Sequence, residues 1–512
     1  MKPATFEITS GSRAVKKVQL LSWLQGLVLT LVGLISLIVS SLALNREQVF
    51  GASLLLVSVA LWNLLSWRLA GQFWFEPYPL FLIAAIAFNG GQAFLEVFSQ
   101  NKNGILDGRF TAELVTQALY LVTIGLASLH FGVLLALGRI PPARRDPWNP
   151  VDRRKALLFV GYVCLGISIV PLIMVVQDAV TTAVTFGYGD LYGRDRGELL
   201  PGPITALEPF MVSGAMCLIA GSSKRKAHLL VASLLSLGYG FVMLAIGSRG
   251  PAVMILLAYI WLYNRSIQRL RRKVVVVLFV VLLLIFPVIA TVRQNAGFWE
   301  DPVGHFSAAI AKNDNLAVSA ISEMGYSLVT VVHTLRLIPD VRPFDYGIGY
   351  VYAASAVVPD IGWEVHPAIS HGLFGDWLIR TTDPFIAARG GGLGFSFIAE
   401  VYANFGWLGT CPFLIAMGYF LGRLFNWSAR GNDPAKLAFI ATFMAFFLVF
   451  ARGESAVILR GLAWYALFPY IGVSLITKAR KARRARLRKA GLDLAPGLLA
   501  YAGRGSHRNG RL

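Results

Sequence analysis

Apolar residues in this chain come in blocks rather than in alternation. About twelve mostly apolar runs follow one another, at 18–44, 48–67, 78–97, 114–138, 156–177, 204–222, 229–246, 251–264, 274–292, 405–424, 436–451 and 456–477. Each is long enough, or nearly so, to cross roughly 30 Å of hydrocarbon as a helix. None shows the ten-residue alternation of an outer-membrane barrel strand. The pattern therefore predicts an all-α polytopic membrane protein. The first run begins behind Arg13, Lys16 and Lys17 and lacks a small-residue cleavage site followed by a soluble domain, so it reads as a retained helix.

Composition agrees with this picture. Of 512 residues, 56% are hydrophobic and 14% charged, against about 25% charged in a soluble protein. Mean hydropathy is +0.62. Cys164, Cys217 and Cys411 all fall inside apolar runs and their number is odd, so no disulfide framework is implied.

The net charge of +20 suggests nucleic acid until its placement is considered. With a cytoplasmic N-terminus, the connections on that side are residues 1–17, Arg68, 139–155, 223–228, 265–273 and 423–436, together with the tail from 478. They hold 33 of the 47 Lys and Arg residues and only five of the 27 acids. That asymmetry is the positive-inside rule, and it predicts a multi-pass protein with both termini cytoplasmic. The basic tail is then an orientation signal near anionic lipid rather than a nucleic-acid arm.

Only one outer connection is long. The organisation expected is a cytoplasmic segment 1–17, nine spans over 18–292, a periplasmic loop 293–404, three spans over 405–477 and a basic tail 478–512. The long loop carries four of the seven histidines, 11 acids and six bases. Its amphipathic stretches, such as 316–338, suit a folded cap seated on the membrane surface or the bundle. No internal repeat is visible, which weakens a carrier built from two similar halves.

Candidate chemistry gathers on the outer face. Arg249 lies in the turn GSRG, Arg293 follows a span, Arg380 and Arg389 bracket RTTDPFIAAR, Arg452 begins RGESA, and Arg460 lies inside the last span. Guanidinium forks suit a pyrophosphate, although each arginine taken alone also suits lipid phosphate or a nearby acid such as Glu454. Arg460 stands apart, because an ionisable residue within a span usually has a partner or a function. In GGLGFSFIAEVYANFGWLG (391–409), Ser396, Glu400 and Asn404 recur every four residues and so share one helical face, next to Tyr402. Glu400 suits either a general base or the fixed partner of an arginine. In GWEVHPAISHGLFGDW (362–377), His366 and His371 are five apart and separated by Pro367, which is not the i, i+4 pair of a helical zinc site. No metal or other cofactor is expected, and a single histidine here suits a base or a donor to a sugar, or else a merely structural role. GxSxG, HExxH and Walker sequences are absent.

The GSRG turn, the large late outer loop and GLGFSFIAEVYANFGWLG leading into a span resemble the bacterial Wzy-type polymerases of O-antigen and related polysaccharides. Arg380 and Gly391 also match an Arg, ten residues, Gly spacing known in some members, without a convincing second copy in the 179–203 loop. The resemblance implies a place in the bacterial inner membrane and an architecture like the membrane glycosyltransferases with lipid-linked donors (GT-C-like). It implies transfer of a growing glycan from undecaprenyl pyrophosphate to an undecaprenyl-pyrophosphate-linked repeat unit at the periplasmic face, without a metal. Glu400 would be the base or would position the acceptor, with His371 as the other candidate. Arg249, Arg293, Arg380, Arg452 and Arg460 would hold pyrophosphate, and Tyr402, Asn404 and Arg389 would position the acceptor sugar. Membrane lipid, a chain-length regulator and a flippase are the further partners implied. An O-antigen ligase, or a non-catalytic flippase or exporter, is the alternative.

Overall fold

The computed structural model describes residues 12–40, 46–138, 148–186, 191, 202–222, 226–271, parts of 273–281, 301–312, 315–359, 363–429 and 433–489. These residues form helices and no strands. In chain order, the first part of the bundle comprises α1 (Ser12–Ser40), α2 (Arg46–Leu69), α3 (Pro77–Val97), α4 (Ala112–Gly138) and α5 (Pro150–Thr185). It continues with α6 (Gly202–Leu207), α7 (Phe210–Gly221), α8 (Lys226–Ala245) and α9 (Arg249–Ser266). A series of short helices follows: α10 (Pro302–Lys312), α11 (Leu316–Gly325), α12 (Leu328–Leu337), α13 (Ile348–Ser355), α14 (Pro367–His371), α15 (Phe374–Thr382) and α16 (Pro384–Ala388). The bundle resumes with α17 (Phe397–Ala429), α18 (Pro434–Phe447), α19 (Ser455–Gly461) and α20 (Phe468–Lys489), with a π-helical stretch at Leu462–Leu467 between the last two.

Eleven segments among the described residues are long and apolar enough to cross a membrane. Ten coincide with expected runs. The run at 251–264 lies within helix α9, and that at 274–292 falls mostly outside the described residues. The eleventh segment, Leu316–Leu337, was expected only as an amphipathic stretch. It is two helices, α11 and α12, separated by Tyr326 and Ser327, and they pack against α3 and α4.

Helix α4 is the centre of the bundle, flanked by α1, α2 and α17, with Leu119, Leu121, Leu126 and Leu129 fully buried. Gly132 of α4 and Gly418 of α17 let these two helices touch, because a Cβ on either would strike the other's backbone. Polar side chains specify the neighbours on the other side. Gln25 bonds Asn63 at 3.0 Å and Trp62 at 2.7 Å, and His130 is held between Ser66 at 2.8 Å and Tyr78 at 2.7 Å. In an apolar medium such bonds select helix partners where apolar contacts alone discriminate poorly.

Charged pairs gather at one end of the bundle. Asn149 and Asp433 each cap a helix that begins with proline. The same Asp433 takes Arg153 in a bidentate pair at 3.0 Å in which both side chains are 2% exposed. Arg484 bonds Asp152 at 2.7 Å, and Arg265 reaches Glu76 at 3.4 Å. At the opposite end the C-terminal parts of α3 and α18 meet the start of α17, and the short helices α12–α16 pack over that end as a cap.

Candidate functional site

The cap is joined to the bundle at the segment that reads as a hydrophobic run carrying a carboxylate. Ser396 opens α17. Its Oγ accepts from the Ile398 amide at 3.2 Å and donates to Asn89 Oδ1 at 2.6 Å. One turn later Glu400, 2% exposed, accepts from the Ser455 amide at 2.9 and 3.0 Å and from Ser455 Oγ at 2.9 Å. Asn404, one turn further, is fully buried. Its amide donates to the Glu400 carbonyl at 2.8 Å, and its Oδ1 accepts from the Gly347 amide at 3.1 Å.

Helix α17 is then interrupted at Gly406, whose φ of 61° and ψ of −164° lie in a region open only to glycine. The break removes the donors that carbonyls 403 and 404 would meet in an unbroken helix. Cap residues supply them instead. The Asp345 amide donates to the Ala403 carbonyl at 3.1 Å, and the Tyr346 amide to the Asn404 carbonyl at 2.9 Å.

Beside this junction is a narrow cleft of about 10 Å³, room for roughly one water, lined by residues of α13, α14, α15, α17 and α19, with Glu400, Glu454, His371 and Tyr352 as its titratable groups. Glu454 is 4% exposed and accepts from the Phe374 amide at 2.7 Å and the Gly375 amide at 3.0 Å, the first two of α15. Burial raises its pKa, against the lowering effect of those two amides and of Arg342. His371 stacks on Tyr352 at 4.2 Å, and its Nε2 meets Asp345 Oδ2 at 2.7 Å. Arg342 bonds the same Asp345 oxygen at 3.2 Å and lies 4.3 Å over the Phe374 ring.

The structure thus brings Glu400 and His371 into one cleft. Asn404 supports that cleft from within the protein. Tyr402 is 5% exposed, with its hydroxyl 3.4 Å from the Ile338 carbonyl and its ring against Phe344 and Trp407. Of the candidate arginines among the described residues, none lines the cleft. Arg249 forms a bidentate pair with Glu323 of α11. Arg380 is 72% exposed and pairs with Asp376 at 3.0 Å. Arg389 covers the Phe385 ring at 4.0 Å. Arg452 packs on Gly394 and on Phe88, and Arg460 donates to the Ala356 carbonyl at 2.8 Å while lying over Trp464. Arg293 lies outside the described residues. His366 is a structural residue, its Nδ1 accepting from the Ala368 amide that opens α14.

Sequence reasoning missed Arg342, Asp345 and Ser455. Arg342 and Asp345 are three apart, but Pro343 between them removes the helical reading, and nothing in the spacing ties them to a histidine 26 residues beyond Asp345.

A family model described as O-antigen polysaccharide polymerase Wzy matches residues 26–483. Neither a curated protein nor a solved structure matches the chain.

Proposed function

The chain belongs to the O-antigen polysaccharide polymerase Wzy family, and from that membership we propose that it lengthens a surface glycan at the periplasmic face. In this reading a repeat unit on undecaprenyl pyrophosphate is the acceptor and the growing glycan on a second carrier is the donor. The acceptor hydroxyl oxygen attacks the donor's anomeric carbon as the hydroxyl proton passes to Glu400. The anomeric carbon's bond to pyrophosphate breaks, and undecaprenyl pyrophosphate leaves with the electron pair.

The observation that carries this reading is the cleft itself, where a buried carboxylate and a histidine held by Asp345 face one small space at the cap junction. His371 hydrogen-bonds the donor sugar through Nδ1, and Asp345 with Arg342, both at Nε2, fixes its ring. Arg452 and Arg460, on either side of the Glu454–Ala456 wall in the chain, receive the pyrophosphates, with Arg380 and Arg389 on the exposed rim. Arg249 contributes only by exchanging Glu323 for the ligand. Arginines supply the charge that a metal otherwise provides, so a chelator leaves the reaction unchanged.

Purified protein given undecaprenyl-pyrophosphate repeat units should form lengthening products. Glu400→Gln and His371→Ala should each slow extension by about 10²- to 10⁴-fold while membrane insertion is preserved. Normal extension by both variants would remove the cleft from the mechanism.

A further inference from the structure

The hydrogen bonds that hold the Glu400 carboxylate among the described residues all come from one residue, Ser455. Its amide donates to both carboxylate oxygens, at 3.0 and 2.9 Å, and its Oγ donates to Oε2 at 2.9 Å. An alanine at 455 would keep the amide contacts, which hold the carboxylate from a single point. The hydroxyl adds a second point, and two donors at different positions fix the rotation of a planar carboxylate where one does not. A carboxylate offers about four acceptor sites. The three contacts from Ser455 leave about one free. Glu400 lines a cleft of about 10 Å³, the size of one hydroxyl group.

Ser455 is in turn fixed from the cap. The residue before it, Glu454, lines the same cleft and accepts from the Phe374 and Gly375 amides of α15 at 2.7 and 3.0 Å. One peptide unit therefore ties α15 on one side to Glu400 on the other. Both Ser455 and Glu454 are buried, so bulk water does not replace either set of bonds.

We propose that Ser455 is a positioning residue for the transfer reaction, orienting Glu400 to take the acceptor hydroxyl's proton, and that Glu454 makes this orientation depend on a seated cap. This rests on the polymerase reading of the cleft. Ser455 keeps its own proton throughout.

The test is Ser455→Ala in the full-length protein, given undecaprenyl-pyrophosphate repeat units. Its kcat should fall about 10- to 100-fold with KM within about threefold of the unsubstituted value, because the angle of a base matters in the transition state and not in binding. Ser455→Thr keeps the hydroxyl and should restore kcat to within about threefold. Ser455→Cys, with a weaker donor of similar size, should give an intermediate kcat and carries the test if the alanine variant does not fold. Glu454→Ala should also lower kcat, and S455A/E454A should be no slower than the slower single variant, since both act through one carboxylate. Full extension by S455A beside an inactive Glu400→Gln overturns the proposal and leaves the polymerase site in place. A loss confined to KM, or S455T as slow as S455A, also overturns it. Fully additive losses in the double variant overturn the part assigned to Glu454. Full extension by Glu400→Gln overturns both the proposal and the reading of the cleft beneath it.

Discussion

Glu454 and Asp345 show what individual side chains do in this site, and how differently each is written in the sequence. Glu454 spans the junction, since it belongs to the short link between the last spans yet caps the cap helix α15. Its raised pKa means that the folded protein binds this proton more tightly than the unfolded chain does. The stability it contributes is therefore complete below the unfolded pKa of about 4.3 and is lost as pH rises through the higher folded value. Glu454→Gln abolishes that titration. Comparing unfolding temperatures of the two proteins from about pH 4 to about pH 8 should show the unsubstituted protein losing ground to the variant as pH rises. A difference independent of pH would contradict the assignment. Glu400 and His371 were legible because a carboxylate in an apolar run and a histidine in an aromatic loop are chemically conspicuous. Asp345 and Arg342 were not, because their partner is brought to them only by the path of the cap.

At the scale of elements, the junction depends on a helix that is broken at one residue. Hydropathy places the start of a span at about 405, whereas α17 begins at Phe397 and its first turns are buried against α4. Counting apolar residues cannot separate a wall of lipid from a wall of protein, so the pattern showed the polar face of Ser396, Glu400 and Asn404 but not what it faced. The break at Gly406 was equally hidden, since a glycine in a span usually marks close helix packing, as Gly132 and Gly418 do here. Gly406 instead frees two carbonyls for the amides of Asp345 and Tyr346. Gly406→Ala places a Cβ at φ 61°, 3.3 Å from the Phe344 ring, and should cost about 1–3 kcal/mol. The unfolding temperature should drop, and amide exchange at 345–347 should quicken more than in α4. Uniform quickening across both regions would mean that the break does not hold the cap.

For the whole molecule, the apolar blocks foretold the helical bundle, whereas its sidedness rests on a physical argument that spans both ends. The end opposite the cap collects Arg153, Arg265 and Arg484, each paired to an acid, and in the sequence basic runs at 139–155, 223–228 and 265–273 join the helices that meet there. Moving that many cations across the bilayer during insertion is unfavourable, so the positive-inside rule predicts a cytoplasmic position for this end and an outer one for the cap. The cleft then opens on the side where lipid-linked repeat units are polymerised in the proposed reaction. Ile369, 65% exposed on α14, offers a probe of this arrangement. In a background with Cys164, Cys217 and Cys411 replaced by serine, Ile369→Cys should react with an impermeant maleimide added to intact spheroplasts. Arg483→Cys on α20 should react only after the membrane is opened. Labelling of Arg483→Cys from outside would invert the protein, and the cap and its cleft would then face the cytoplasm, where a periplasmic polymerisation reaction has no access to them.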